Sequence, residues 1–149
     1  KINVYPVYKS NEPYLIEKWG YQLDLWDPSD YGIPTLGLTY VTSDETLQKD
    51  PELLQRFLRA ALKGILFAQE NPQAAVDIVL KYTGPETDRE HMLFMLQSEL
   101  KDLNTDVTDQ HGIGWQTAEQ WQALMDILVE YDSMTPIDVN TVFTNQLLK

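Results

Sequence analysis

Two proline-marked boundaries frame the longest periodic stretch of this chain. Asp50-Pro51 opens it with a carboxylate that can accept free N–H groups at a helix start. Proline then fills the first helical position, where a missing N–H costs nothing. Asn71-Pro72 closes it, because the residue before proline disfavours the helical region. Between these marks Leu53, Phe57, Ala61 and Ile65 share a face with Leu54 and Leu58, a broad apolar stripe that has to be buried.

Helical signals continue from there. Pro72 starts a second helix carrying Val76, Val79 and Leu80 to about Tyr82, and Thr83-Gly84-Pro85 is a turn. Thr87-Asp88-Arg89-Glu90 fits a capping box for a third helix with Leu93, Leu96, Leu100 and Leu103 on one side. Residues 104–114 read as a polar loop. Thr117-Ala118-Glu119-Gln120 caps a fourth helix with Trp121, Leu124, Met125 and Leu128 as its stripe, and a short helix is expected from Val139. Before Asp50 the pattern differs. Residues 2–8, 21–26 and 36–42 are rich in β-branched or aromatic side chains and bounded by Pro, Gly, Asp or Ser, which predicts three short strands. Residues 12–20 read as a short helix closed by Gly20.

Composition excludes several functions. A chain of 149 residues suits one compact domain with a real core, and no apolar run approaches the ~20 residues of a membrane helix. A net charge of −12 with only 11 scattered Lys and Arg argues against nucleic acid. The absence of cysteine removes disulfides, thiolate metal sites and cysteine nucleophiles. His91 and His111 are the only histidines and neither has a partner at ligand spacing, so no metal site is expected. No Ser-His-Asp order and no Gly-rich phosphate loop can be assembled, and nothing asks for an enzyme or a cofactor. Trp19, Trp26, Trp115 and Trp121 fall on different elements and read as packing residues rather than a carbohydrate platform.

The ligand-type chemistry gathers near the start. Tyr8, Asn11 and Glu12 would lie on the loop that ends the first predicted strand, with Tyr5 just before them. A ring, an amide and a carboxylate there can contact a ligand; equally, Asn11-Glu12-Pro13 can simply cap a helix. Tyr31, in Asp30-Tyr31-Gly32, is open in the same way between a ligand contact and a tyrosine packed at a turn.

Several blocks in succession carry a family resemblance. They are Tyr5-Pro6-Val7-Tyr8-Lys9-Ser10-Asn11-Glu12-Pro13, Asp27-Pro28-Ser29-Asp30-Tyr31-Gly32, the Asp50-Pro51-Glu52-Leu53-Leu54 helix start with Asn71-Pro72, His111-Gly112-Ile113-Gly114-Trp115-Gln116 leading to Trp121, and Phe143-Thr144-Asn145-Gln146-Leu147-Leu148. Together they resemble the extracytoplasmic solute-binding proteins of ABC importers, in the branch related to the thiamine-pyrimidine synthases.

That resemblance implies an α/β fold: the C-terminal part of a two-lobe, periplasmic-binding-protein-like architecture, helix-rich with about three short strands. Residues 1–35 would end the second lobe with a ligand-facing strand and loop, and residues 36–149 would form a return segment and the helical part of the first lobe. It implies a non-enzymatic protein that binds a small heteroaromatic solute, such as a pyrimidine thiamine precursor, through Tyr5, Tyr8, Asn11, Glu12 and Tyr31. A carboxylate beside an amide suits the adjacent donors and acceptors of an aminopyrimidine. The implied partners are the solute and a membrane permease, with no nucleic acid and no cofactor, and a half-length chain is expected to self-associate or to co-purify with an N-terminal fragment. The implied location is periplasmic or extracellular, with the leader or lipid anchor in a segment outside this sequence. The same resemblance admits a ligand-sensing extracytoplasmic domain of a membrane-bound signalling protein. The eukaryotic enzymes of the family carry a cysteine-rich iron-binding motif, which a chain without cysteine does not match.

Overall fold

The structure, a computed structural model, describes residues 4–148. Seven α-helices occur among them: α1 (Glu12–Lys18), α2 (Asp44–Lys49), α3 (Pro51–Glu70), α4 (Pro72–Val79), α5 (Arg89–Asp102), α6 (Asp106–His111) and α7 (Ala118–Tyr131). Short 3₁₀ turns follow at Pro28–Tyr31, Leu80–Tyr82, Val139–Thr141 and Gln146–Leu148.

The expected α/β class is overturned, because no strand is present among the described residues. Residues 4–8, 21–26 and 36–42 run without regular secondary structure where three strands were expected. A β-branched and aromatic composition favours a pleated, half-buried surface, but a strand exists only where a neighbouring backbone takes its hydrogen bonds. These segments find none here, and Val4, Leu25, Leu38 and Val41 are exposed. Positions 2 and 3 of the first predicted strand lie outside the described residues.

The helix boundaries follow local chemistry. Asp50 Oδ1 accepts from the Leu53 N–H at 3.0 Å, as a capping carboxylate before Pro51 should. Thr117 accepts from the Gln120 N–H while the Gln120 side chain accepts from the Thr117 N–H, a complete capping box for α7. At the start of α5 the cap is Asp88 rather than a Thr87 box, with its carboxylate accepting from the N–H groups of Glu90 and His91. Residues 104–114, expected as a polar loop, contain α6, which Thr105 and Thr108 close with a reciprocal box. Gly20 sits at φ +86°, a left-handed position cheap only for glycine, so the Tyr21 N–H can reach back to the Ile16 carbonyl and end α1.

The chain divides into two compact units. The first holds the described residues through Leu25 with Lys63–Asn104; the second holds Trp26–Leu62 and the residues from Thr105 onward. In the first unit α4 and α1 both pack on α5, and Val76 of α4 is its most deeply buried apolar side chain. In the second, α7 packs on the Val139–Thr141 turn, burying Met125 and Val139.

Asn145 fastens the second unit across a long sequence separation. Its Oδ1 accepts from the Gln116 N–H at 3.1 Å and its Nδ2 donates to the Gln116 carbonyl at 2.7 Å. Gln116 Oε1 in turn accepts from the Trp121 indole at 2.8 Å, and Trp121 stacks on Phe143. Asn145→Ala strands two half-buried backbone groups, a loss of about 1–3 kcal/mol. Calorimetry should show the midpoint of this unit falling by roughly 5–20 °C, and an unchanged midpoint would refute the clasp.

Candidate functional site

Tyr8, Asn11 and Glu12 are brought together in the turn that leads into α1. The Asn11 N–H donates to the Tyr8 carbonyl at 2.8 Å, closing the turn. The Glu12 carboxylate reaches back over it: Oε2 accepts from the Tyr8 N–H at 2.8 Å and Oε1 accepts from Asn11 Nδ2 at 3.3 Å. An ionised carboxylate offers about four lone-pair directions, so two remain for an outside donor. Asn11 occupies the position before the helix, yet its side chain caps nothing and turns to Glu12 instead. Pro13 is buried behind it, in the first turn of α1. The Tyr8 ring is 76 % exposed and Tyr5 is also exposed, whereas Asn11 and Glu12 are half-buried.

The turn rests on α5. His91 Nε2 lies 3.2 Å from the Asn11 carbonyl, and its ring stacks on Tyr14 at 5.0 Å with 6° between planes. Phe94, one turn further along α5, meets the Tyr14 ring at 5.5 Å with the planes tilted by 40°. Ion pairs flank the turn: Lys9 meets Asp102 at 2.8 Å, and Lys18 meets Asp88 while lying 5.6 Å from the Tyr14 ring centre. By spacing His91 has no metal-ligand partner in the sequence. Its contact is with a residue 80 positions away, and no local pattern signals that.

Tyr31 belongs to the second unit. It ends the Pro28–Tyr31 turn, which Asp27 caps through the Ser29 N–H, and Gly32 follows at φ +73°. Its ring is exposed. Among the described residues no group of three or more His, Cys, Asp or Glu is placed to hold a metal ion.

Asp88 ties α1 to α5 electrostatically. The hydrogen bond from Lys18, helped by the His91 and Glu90 N–H groups, holds its carboxyl below the ordinary carboxylate range. The same bond raises Lys18 above the ordinary lysine value. A depressed aspartate stabilises the fold above the ordinary carboxylate range and loses that contribution as pH falls through its lowered pKa. A raised lysine stabilises the fold below its ordinary value and loses that contribution as pH rises through its raised pKa. The tie is therefore complete across neutral pH. Asp88→Asn keeps a good cap but removes the charge, so its melting midpoint should depend less on pH between about pH 2 and 5 than the parent's. Parallel slopes in that window would show that the pair carries no linkage.

Among the described residues no helix is long and apolar enough to cross a membrane. The NMT1/THI5-like family matches residues 1–75, a stretch that contains the Tyr8–Glu12 turn and Tyr31. A riboflavin-binding protein, RibY, of Chloroflexus aurantiacus is 26% identical over 153 aligned positions, covering 99% of this chain and 43% of the relative. A formylaminopyrimidine-binding protein of Halalkalibacterium halodurans is 26% identical over 132 positions, covering 84% of this chain and 38% of the relative. The chain thus spans about two-fifths of the length of these curated relatives. No solved structure matches it. With half of its residues matched, the chain belongs to the NMT1/THI5-like family.

Proposed function

We propose that this chain is part of a non-enzymatic binding protein for a small, flat nitrogen heteroaromatic of the pyrimidine class, delivering it to an ABC importer from outside the cytoplasm. The observation that carries this reading is the Tyr8–Glu12 turn: an exposed aromatic ring beside a carboxylate and an amide held in place by backbone and side-chain hydrogen bonds. Riboflavin and formylaminopyrimidine, the ligands in the relatives' names, share a planar nitrogen ring with adjacent donors and acceptors. Tyr8 supplies a stacking face, Glu12 accepts from an exocyclic amine, and the Asn11 amide can both donate and accept. Because the turn is already closed, little conformational entropy is spent on ordering it around a ligand. Tyr5, exposed just before this turn, is assigned as a secondary contact.

Titration calorimetry on the complete gene product tests the solute class, using an aminopyrimidine, riboflavin and an alkyl sulfonate side by side. Saturable heat is expected with the aminopyrimidine or the flavin and none with the sulfonate. Tight sulfonate binding with no response to either heterocycle overturns the reading.

A further inference from the structure

The bonds that close the Tyr8–Glu12 turn consume donors and leave acceptors. Glu12 Oε2 takes the Tyr8 N–H, and Oε1 takes one hydrogen of Asn11 Nδ2. Lone pairs remain on both carboxylate oxygens, and the bond to Glu12 orients the Asn11 amide so that its Oδ1 is uncommitted. The second Nδ2 hydrogen is the one amide donor left over. An outside molecule therefore meets several acceptors and a single amide donor.

Charge points the same way. Glu12 is half-buried, and both of its partners are neutral. Among the described residues it stands in no ion pair: Lys9 and Lys18, on either side of it in the sequence, meet Asp102 and Asp88 instead. A partly desolvated carboxylate without a counter-charge attracts a cation more strongly than one in open water. The chain's net charge of −12 adds a diffuse field of the same sign.

A neutral aminopyrimidine answers this arrangement only in part, because its ring nitrogens are acceptors. Protonating one of them turns an acceptor into a donor, and conjugation spreads the positive charge onto the exocyclic amine. Bonds in which a partner is ionised are roughly twice as strong as neutral ones. We infer that the turn binds its heteroaromatic ligand as a cation, protonated on a ring nitrogen, with Glu12 as counter-ion and the proton drawn from solvent. The inference rests on the heteroaromatic reading and adds the charge state of the ligand to it.

Titration calorimetry of the complete gene product with an aminopyrimidine, in two buffers of different ionisation heat, counts the protons taken up. At about one pH unit above the ligand's own ring pKa, the parent should take up about 0.9 proton per ligand. Affinity should fall about tenfold for each further pH unit. Glu12→Gln should bind more weakly, with uptake near zero. Other titratable and charged groups gather at the turn: His91 and Asp102 from α5, Tyr14 and the Asp88-bound Lys18 from α1, and Lys9 and Tyr8 of the turn itself. Histidine is the side-chain type that exchanges protons near neutrality, so His91→Gln is the control. Its amide can still donate to the Asn11 carbonyl, and the proton uptake should persist whatever happens to affinity. Uptake that disappears in His91→Gln, or that is undiminished in Glu12→Gln, overturns the inference. Aminopyrimidine bound without proton uptake, or riboflavin bound and aminopyrimidine not, also overturns it while leaving the heteroaromatic reading in place. No heat with either heterocycle overturns both.

Discussion

Replacing Glu12 by glutamine lowers affinity for an aminopyrimidine by about 10–100-fold. A hydrogen bond to a charged group contributes about 1.5–3 kcal/mol, and each ~1.4 kcal/mol is a decade in affinity. The structure shows why this variant is informative. A glutamine carbonyl can still accept the Tyr8 N–H, so the turn stays closed. Its NH₂ then faces the Asn11 amide donor where a carboxylate oxygen stood, and a ligand amine loses the charge and one of the two oxygens that could accept from it. Tyr8→Ala removes an exposed ring and should cost one to two decades, on the order of 1–3 kcal/mol for losing one aromatic stacking face. Tyr8→Phe keeps that face and should bind almost as the parent does. All three should melt close to the parent, because the Tyr8 ring is exposed and glutamine at 12 keeps the bond to the Tyr8 N–H. Calorimetry paired with thermal melting checks both halves. A Glu12→Gln protein that binds at full strength would remove the carboxylate from the site.

Val76→Asp abolishes the cooperative unfolding of the first unit. Val76 is 2 % exposed, the most buried side chain of α4. A carboxylate there has no partner, and burying an unpaired charge costs several kcal/mol. That is comparable to the whole 5–15 kcal/mol by which ordinary domains are stable, and little other core is available to absorb it. Met125→Ala tests the second unit more gently: truncating a buried methionine costs about 2–5 kcal/mol through lost transfer energy and the cavity left behind. Circular dichroism and calorimetry should show a missing transition for the first variant and a lowered one for the second. A parent-like melt for Val76→Asp would mean that α4 is not seated as described.

The helices were legible where their ends were written in side-chain chemistry. Asp50-Pro51 and the Thr117–Gln120 box mark boundaries through hydrogen bonds spanning three residues, Asn71-Pro72 through the limits proline sets on the residue before it, and the structure places helix ends there. Short polar helices were harder. α6 has too little apolar periodicity to register, and Thr105, not a hydrophobic stripe, defines it. The strand expectation failed for a different reason: alternating Tyr and Val residues report a backbone able to pair, whereas pairing depends on a partner that the local sequence does not specify. At the site, Tyr8, Asn11 and Glu12 were readable because they are sequence neighbours. The support beneath them, from His91 and from the Lys9–Asp102 pair, joins residues 80 and 93 positions apart. Only the folded chain reveals those contacts.

Hydrogen–deuterium exchange on the complete gene product, with and without saturating aminopyrimidine, shows whether the Tyr8–Glu12 turn seats the ligand. The Tyr8 and Asn11 amides are already hydrogen-bonded within the turn, so a ligand seated on Glu12 should slow their opening further. Added protection is expected in peptides covering residues 5–12 and none across α7. Protection confined to α7, with residues 5–12 exchanging as in the free protein, would contradict the proposed site.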